Sequence, residues 1–122
     1  MARKYGLNKK QLVKGYRNFR RIISQGKKYV GVCSILYVVG GQPATRIGIV
    51  AGKRIGSAVE RNRSKRLLRE AIRHNRTKIA DGLEIVLIAR KAVLHNTLQE
   101  SMLDTVRLLE ISGCARVAGE RK

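Results

Sequence analysis

The segment 53–76, which reads KRIGSAVERNRSKRLLREAIRHNR, constrains the fold most strongly because it combines the longest helical pattern with the densest positive charge. Nine basic and two acidic residues give it a formal charge of +7. With Ser57 as the N-cap, the pattern predicts a helix from Ala58 to about His74.

The predicted helix has two unlike faces. At about 100° per residue, small and apolar side chains fall on one side: Ser64, Leu67, Leu68, Ala71 and Ile72. The opposite side is cationic: Asn62, Arg66, Arg69 and Arg73, with Arg63 at its edge. Like charges four residues apart repel, so an external polyanion would stabilise this face, although a merely solvated face is the alternative. Most of the basic residues are arginine, which binds phosphate bidentately and stacks on bases, and this favours nucleic acid.

The whole chain is strongly basic, with 27 Lys and Arg against 8 acidic residues and a net charge of +19. This charge indicates a nucleic-acid partner, or as a weaker alternative an anionic membrane surface. The 122 residues are one domain's worth, and 43% hydrophobic residues separate the chain from disordered basic tails. No secretory leader or membrane-length apolar run is visible, so we expect a soluble cytoplasmic protein. The two cysteines have no metal-binding spacing and are expected to be free thiols.

The flanking segments predict a first helix and two strands. Residues 1–14 form a basic arm that we expect to be flexible. A short helix follows from about Gly15 to Gly26, with Tyr16, Phe19, Ile22 and Ile23 on its apolar side. Residues 30–39 and 45–52 are rich in β-branched residues, and the turn at 40–43 predicts that they pair as a hairpin.

The second half of the chain predicts one strand and one helix. Residues 83–90 are almost continuously apolar, as in a strand that is covered on both faces. Asn96 is the predicted cap of a last helix, with Gln99 completing a capping box and Gly113 ending the helix. Its predicted apolar stripe is Leu98, Met102, Val106 and Leu109, and the tail 114–122 is expected to be flexible.

Together these elements predict a single α+β domain, a two-layer sandwich in the order α-β-β-α-β-α with helices against a small mixed sheet. The acidic residues are scattered and predict neither a catalytic nor a metal site. With no helix-turn-helix, zinc finger or zipper, the spread of charge favours RNA over DNA. A ribosomal-type RNA-binding protein and a self-sufficient nuclease are the alternatives.

Residues 46–73, RIGIVAGKRIGSAVERNRSKRLLREAIR, closely resemble the protein subunit of bacterial ribonuclease P. The likeness includes the Arg-Asn-Arg signature at 61–63, the entry helix up to Gly26, and Ile88-Ala89-Arg90-Lys91. It implies a left-handed βαβ crossover, and a partnership with a catalytic RNA that removes the 5′ leader of precursor tRNA. Hydrolysis and its Mg²⁺ would belong to the RNA, and the protein would bind no small-molecule substrate.

The resemblance also assigns residues to two surfaces. The set facing ribonuclease P RNA would be Lys53, Arg54, Arg61, Asn62, Arg63, Lys65, Arg66 and Arg69, to which the helical pattern adds Arg73. The groove for the single-stranded leader would contain Phe19, Ile23, Tyr37 and Arg90. Ile23 departs from the family pattern, because relatives often have a second aromatic residue there.

Overall fold

The computed structural model describes residues 12–114. Its helices and strands are α1 (Tyr16–Gln25), β1 (Lys27–Val30), β2 (Ser34–Val39), β3 (Arg46–Val50), α2 (Ala58–His74), β4 (Glu84–Ala89) and α3 (Leu98–Ile111). Short 3-10 turns occupy Lys53–Ile55, Arg76–Lys78 and Lys91–His95. The α+β class and the predicted order are confirmed, with β1 as an additional strand.

The two predicted flexible ends fall largely outside the described residues. Of the basic arm, only residues 12–14 are described. There Leu12 forms an isolated parallel β-bridge with Ile47, and Val13 is buried. Of the tail, only Cys114 is described, and it is buried. Cys33 is buried as well, and both cysteines are free thiols, as predicted.

The predicted hairpin between residues 30–39 and 45–52 is wrong. The strand order is β1-β2-β4-β3, so β4 lies between β2 and β3, antiparallel to the first and parallel to the second. The central position suits β4 because both of its faces are apolar and become buried. The parallel pair β3 and β4 is joined through α2, as the predicted crossover requires, and its left-handedness stays a prediction.

The true hairpin joins β1 to β2, so the predicted strand at 30–39 is interrupted. The interruption lies at residues 31–33, where the chain turns. The N–H groups of Val32 and Cys33 donate to the Asp104 carboxylate of α3 at 3.0 and 2.9 Å. By accepting both hydrogen bonds, this carboxylate satisfies the two backbone N–H groups that the turn removes from the sheet.

The sheet has helices on both faces. Leu36, Ile47, Ile85 and Leu87 belong to the same buried cluster as residues of α2 and α3. The alternate positions of the strands point the other way, where Val86 packs with Ile22 of α1. Since α1 has only ten residues, it covers part of that second face and leaves the rest accessible.

The start and the buried face of α3 differ from the prediction. Thr97, not Asn96, is the N-cap, and Glu100, not Gln99, completes the capping box. The buried positions are Ser101, Asp104, Thr105, Leu108 and Leu109, so the predicted stripe is right only at Leu109, with Leu98 exposed. Polar side chains face inward here because they have partners, such as Thr105, whose hydroxyl donates to Ser101 O at 2.8 Å.

Candidate RNA interface

Helix α2 begins at the predicted residue because its cap is complete. Ser57 Oγ accepts from the N–H of Glu60, while Glu60 Oε1 accepts from the N–H of Ser57 at 2.9 Å. Gly56 precedes the cap with φ +140°, and a Cβ there would lie 2.1 Å from Glu60 Oε1. A glycine is therefore required for the chain to enter the helix with the capping box closed.

The apolar side of α2 is buried as predicted, and its cationic side faces outward. Ser64, Leu68, Ala71 and Ile72 are buried, and Leu67 is half-buried. Asn62, Arg63, Arg66 and Arg69 are exposed. Arg73 is half-buried, and its Nη1 lies 2.9 Å from Glu70 Oε2.

Acidic partners are scarce on this surface. Within residues 12–114, no ion pair involves Lys53, Arg54, Arg61, Arg63, Lys65, Arg66 or Arg69. Glu60 is occupied in the capping box, and Glu70 is shared by Arg73 and His74. The outward face of α2 therefore has a concentrated positive potential that the acidic side chains within residues 12–114 leave largely unneutralised.

The loop before α2 extends the same cationic surface. Lys53 and Arg54 are exposed on a 3-10 turn whose third residue, Ile55, is buried in the main core. Arg61 is half-buried, and its Nη1 donates to Gly56 O at 2.9 Å. Arg61 thus ties the loop to the first turn of the helix, which is a positioning contact, and this contact engages only part of its guanidinium.

A groove lies beside α1 on the second face of the sheet. Arg21 Nη1 lies 2.9 Å from Glu84 Oε1, which fixes one flank of α1 at the Glu84 end of β4. On the other flank, Phe19 packs over Gly48 of β3, where a Cβ would come within 2.5 Å of its ring. Phe19 and Ile23 are partly buried and pack with Tyr37 in one apolar cluster. Three of the four predicted groove residues are thus brought together.

The floor and the far end of the groove join it to the cationic surface. Ile35 pairs with Ile88, and Ile88 with Val50, so these three lie side by side on the partly covered face. An open cavity of about 590 Å³ continues from there and is lined at its end by Lys53, Arg54, Arg90 and Lys91. Arg90 is therefore separated from the aromatic residues and stands at the cationic end, where its Nη1 donates to Gly31 O.

The sequence of the chain matches the model of one protein family, Ribonuclease P, over residues 7–112. The chain belongs to the ribonuclease P protein family. The ribonuclease P protein component of Bacillus cereus strain B4264 is 34% identical over 113 residues, which are 91% of this chain and 98% of that protein. The sandwich with a mixed sheet and three helices is thus a ribonuclease P protein fold.

Solved structures agree with this assignment. The Staphylococcus aureus RNase P protein superposes with a TM-score of 0.76 at 25% identity, over 87% of this chain and 98% of that one. The Thermotoga maritima RNase P protein superposes with a TM-score of 0.72 at 28% identity, over 82% of this chain and 96% of that one.

Some residues that shape the interface were not predicted from the sequence. Gly48 gives Phe19 its place on the sheet, and a glycine inside a strand is a sequence signal for such close approach. The Arg21 and Glu84 pair that holds α1 in place had no local signal, because the two residues are 63 positions apart.

Between residues 12 and 114, no group of three or more His, Cys, Asp or Glu side chains is placed to hold a metal ion. None of the helices there is long and apolar enough to cross a membrane.

Proposed function

We propose that this chain is the protein subunit of a ribonuclease P ribonucleoprotein that acts in the cytoplasm. It binds ribonuclease P RNA through the cationic face of α2 and the preceding loop. It binds the single-stranded 5′ leader of precursor tRNA in the groove beside α1. Both contacts assist the magnesium-dependent endonucleolytic removal of the leader, which gives the mature 5′ end of the tRNA.

The observation that supports RNA binding best is the unneutralised cationic face of α2. Arg63, Arg66 and Arg69 are exposed with no ion pair within the described residues, so their guanidinium groups are available for phosphate oxygens. Each such contact releases counterions from the RNA and reduces the repulsion between two RNA molecules that must approach each other. A protein that neutralises phosphates in this way lowers the concentration of Mg²⁺ that the assembly needs.

The shape of the groove supports binding of an unpaired strand. Its floor is apolar, Phe19 and Tyr37 provide aromatic surface, and Arg54, Arg90 and Lys91 provide positive charge at one end. Single-stranded nucleic acids bind surfaces of this kind through stacking of bases and neutralisation of the backbone. Lys53 and Arg54, which we assign to ribonuclease P RNA, also line the cationic end of this groove.

We assign hydrolysis to the RNA subunit and not to this chain. In the same proposal the Mg²⁺ ions are held by the RNA and by the phosphate at the cleavage site. The protein contributes orientation and charge, through Lys53, Arg54, Arg61, Asn62, Arg63, Lys65, Arg66, Arg69 and Arg73 toward the RNA subunit, and through Phe19, Ile23, Tyr37 and Arg90 toward the leader.

The test is cleavage of precursor tRNA at low Mg²⁺ by ribonuclease P RNA alone, by the protein alone, and by the two together. We expect efficient cleavage only in the mixture. Cleavage by the purified protein alone would contradict the assignment of hydrolysis to the RNA. Binding without any gain in cleavage would favour a ribosomal-type RNA-binding protein, and ribosomal RNA is the matched competitor for that outcome.

Salt dependence tests the electrostatic part separately. If about five phosphates are neutralised, affinity for ribonuclease P RNA falls roughly 100-fold between about 50 and 150 mM salt. A fall of less than about threefold would mean that the cationic face of α2 makes few phosphate contacts.

A further inference from the structure

Tyr16, the first residue of α1, is an aromatic side chain with no place in the core. It is 75% exposed, and no other aromatic residue within 12–114 is exposed. The guanidinium carbon of Arg20 lies 5.6 Å from the centre of its ring. This cation–π contact restrains the ring while the rest of its surface stays open to a ligand.

The position of Tyr16 around α1 places it on the flank of the helix that borders the groove. Arg21 defines the flank of the helix that faces Glu84. At about 100° per residue, Phe19 and Ile23 lie on the opposite flank, where the partly covered face of the sheet begins. Tyr16 falls within about 20° of Ile23 and 60° of Phe19 on the same helical wheel. It therefore extends the groove wall that these two residues form, by one helical turn beyond Phe19.

We propose that Tyr16 is a base-stacking residue for an unpaired nucleobase of the leader, and that Arg20 positions its ring. This proposal rests on the proposed function and adds a contact to the same groove. One face of the ring is next to Arg20, so a base stacks on the other face. The Arg20 guanidinium remains close enough to the strand to attract its phosphate groups.

The contact also offsets a property of this particular sequence. Ile23 is aliphatic, so Phe19 is the only aromatic residue that α1 contributes to the partly buried cluster of the groove wall. An aliphatic side chain provides apolar contact but no ring for stacking. Tyr16 provides a second ring on the same flank, and because it is exposed it needs no rearrangement of the core to reach a base.

The experiment measures binding of precursor tRNA to the holoenzyme assembled from ribonuclease P RNA and this protein, under conditions that prevent cleavage. The variants are Tyr16→Ala and Tyr16→Phe, the latter retaining the ring without the hydroxyl. Mature tRNA, which has no leader, is the substrate control. A series of leaders with a single abasic site at successive positions identifies the base involved.

We expect Tyr16→Ala to raise the Kd for precursor tRNA about fivefold, as loss of one aromatic–base contact requires, and to leave the Kd for mature tRNA unchanged. Tyr16→Phe should bind like the parent. At one leader position, removal of the base should make Tyr16→Ala and the parent bind equally. Since the side chain is exposed, the unfolding temperature of the free variants should match that of the parent.

The stacking proposal is overturned if Tyr16→Ala binds precursor tRNA like the parent, if it loses affinity equally for mature tRNA, or if no abasic position removes the difference. In each of these cases, the proposed role of the leader groove still holds if the parent holoenzyme prefers precursor tRNA to mature tRNA. If the parent itself shows no such preference, the leader groove and the role of Tyr16 fail together.

Discussion

Replacing Gly48 by alanine tests whether the wall of the groove depends on close contact between α1 and the sheet. A Cβ at this position would lie 2.5 Å from Phe19 Cε1, 2.8 Å from Cζ and 3.1 Å from Val13 Cβ. Ordinary carbon contacts begin near 3.5 Å, so the Phe19 ring must move by about 1 Å. Overpacking of this kind costs about 1–3 kcal/mol in the free energy of unfolding.

Gly52→Ala is the matched control, because nothing lies within 4 Å of its added Cβ and its φ is −81°. Both substitutions reduce the entropy of the unfolded chain by the same amount, so the difference in the free energy of unfolding between the two variants isolates the clash with Phe19.

Denaturant unfolding is measured on both variants, and precursor-tRNA binding is compared between Gly48→Ala and the parent. We expect Gly48→Ala to be less stable than Gly52→Ala by about 1–3 kcal/mol, which corresponds to roughly 4 °C in unfolding temperature per kcal/mol. Gly48→Ala should also bind precursor tRNA more weakly, with little change for mature tRNA. Equal stability and equal leader affinity would show that Phe19 is not held against the sheet at Gly48, and the description of the groove wall would be wrong.

Three further predictions concern α2 and the buried thiols. Arg66→Ala should weaken binding to ribonuclease P RNA by about 1–3 kcal/mol with little effect on folding, as measured by RNA titration beside a Lys78→Ala control. If the variant instead unfolds while its folded fraction binds RNA like the parent, the cationic face of α2 has a structural role and not a binding role. Ser57→Ala should lower the free energy of unfolding by about 1 kcal/mol, and Ser57→Asp, which retains a capping oxygen, should not; equal urea midpoints for the two would rule out the cap. Burial raises the pKa of the Cys33 and Cys114 thiols, so the folded state holds these protons more tightly than the unfolded state. Their contribution to stability is complete below about pH 9 and declines as the pH rises through the raised pKa. Between about pH 8 and 10, the free energy of unfolding should therefore fall less in the Cys33→Ala/Cys114→Ala double variant than in the parent.

Helix α2 was predictable from the sequence to the residue, because its signals are local. The capping box needs only Ser57 and Glu60, and the apolar period of the helix spans a continuous segment. The cationic face follows from the same period, so its residues could be named before the structure was known. The predicted N-cap of the last helix was one residue too early, because Asn96 and Thr97 are both good N-caps and the sequence pattern does not choose between them.

Strand pairing was not predictable in the same way. Residues 30–39, 45–52 and 83–90 are all apolar and β-branched, and a turn between the first two resembles that of a hairpin. The choice of partner depends on which strand buries both faces, and this is decided by α1 on one side and by α2 and α3 on the other. The break at residues 31–33 likewise depends on Asp104, which is more than 70 positions away.

The sequence by itself determined the family, the basic surface and the helix that presents it, since charge and helical period are properties of neighbouring residues. Only the tertiary structure decided how the groove is built. Phe19 meets Gly48, Arg21 meets Glu84, and Arg90 comes beside Lys53 and Arg54, because the chain inserts β4 between β2 and β3. These contacts join residues far apart in the chain, and packing of the sheet against its helices, which no local pattern encodes, brings them together.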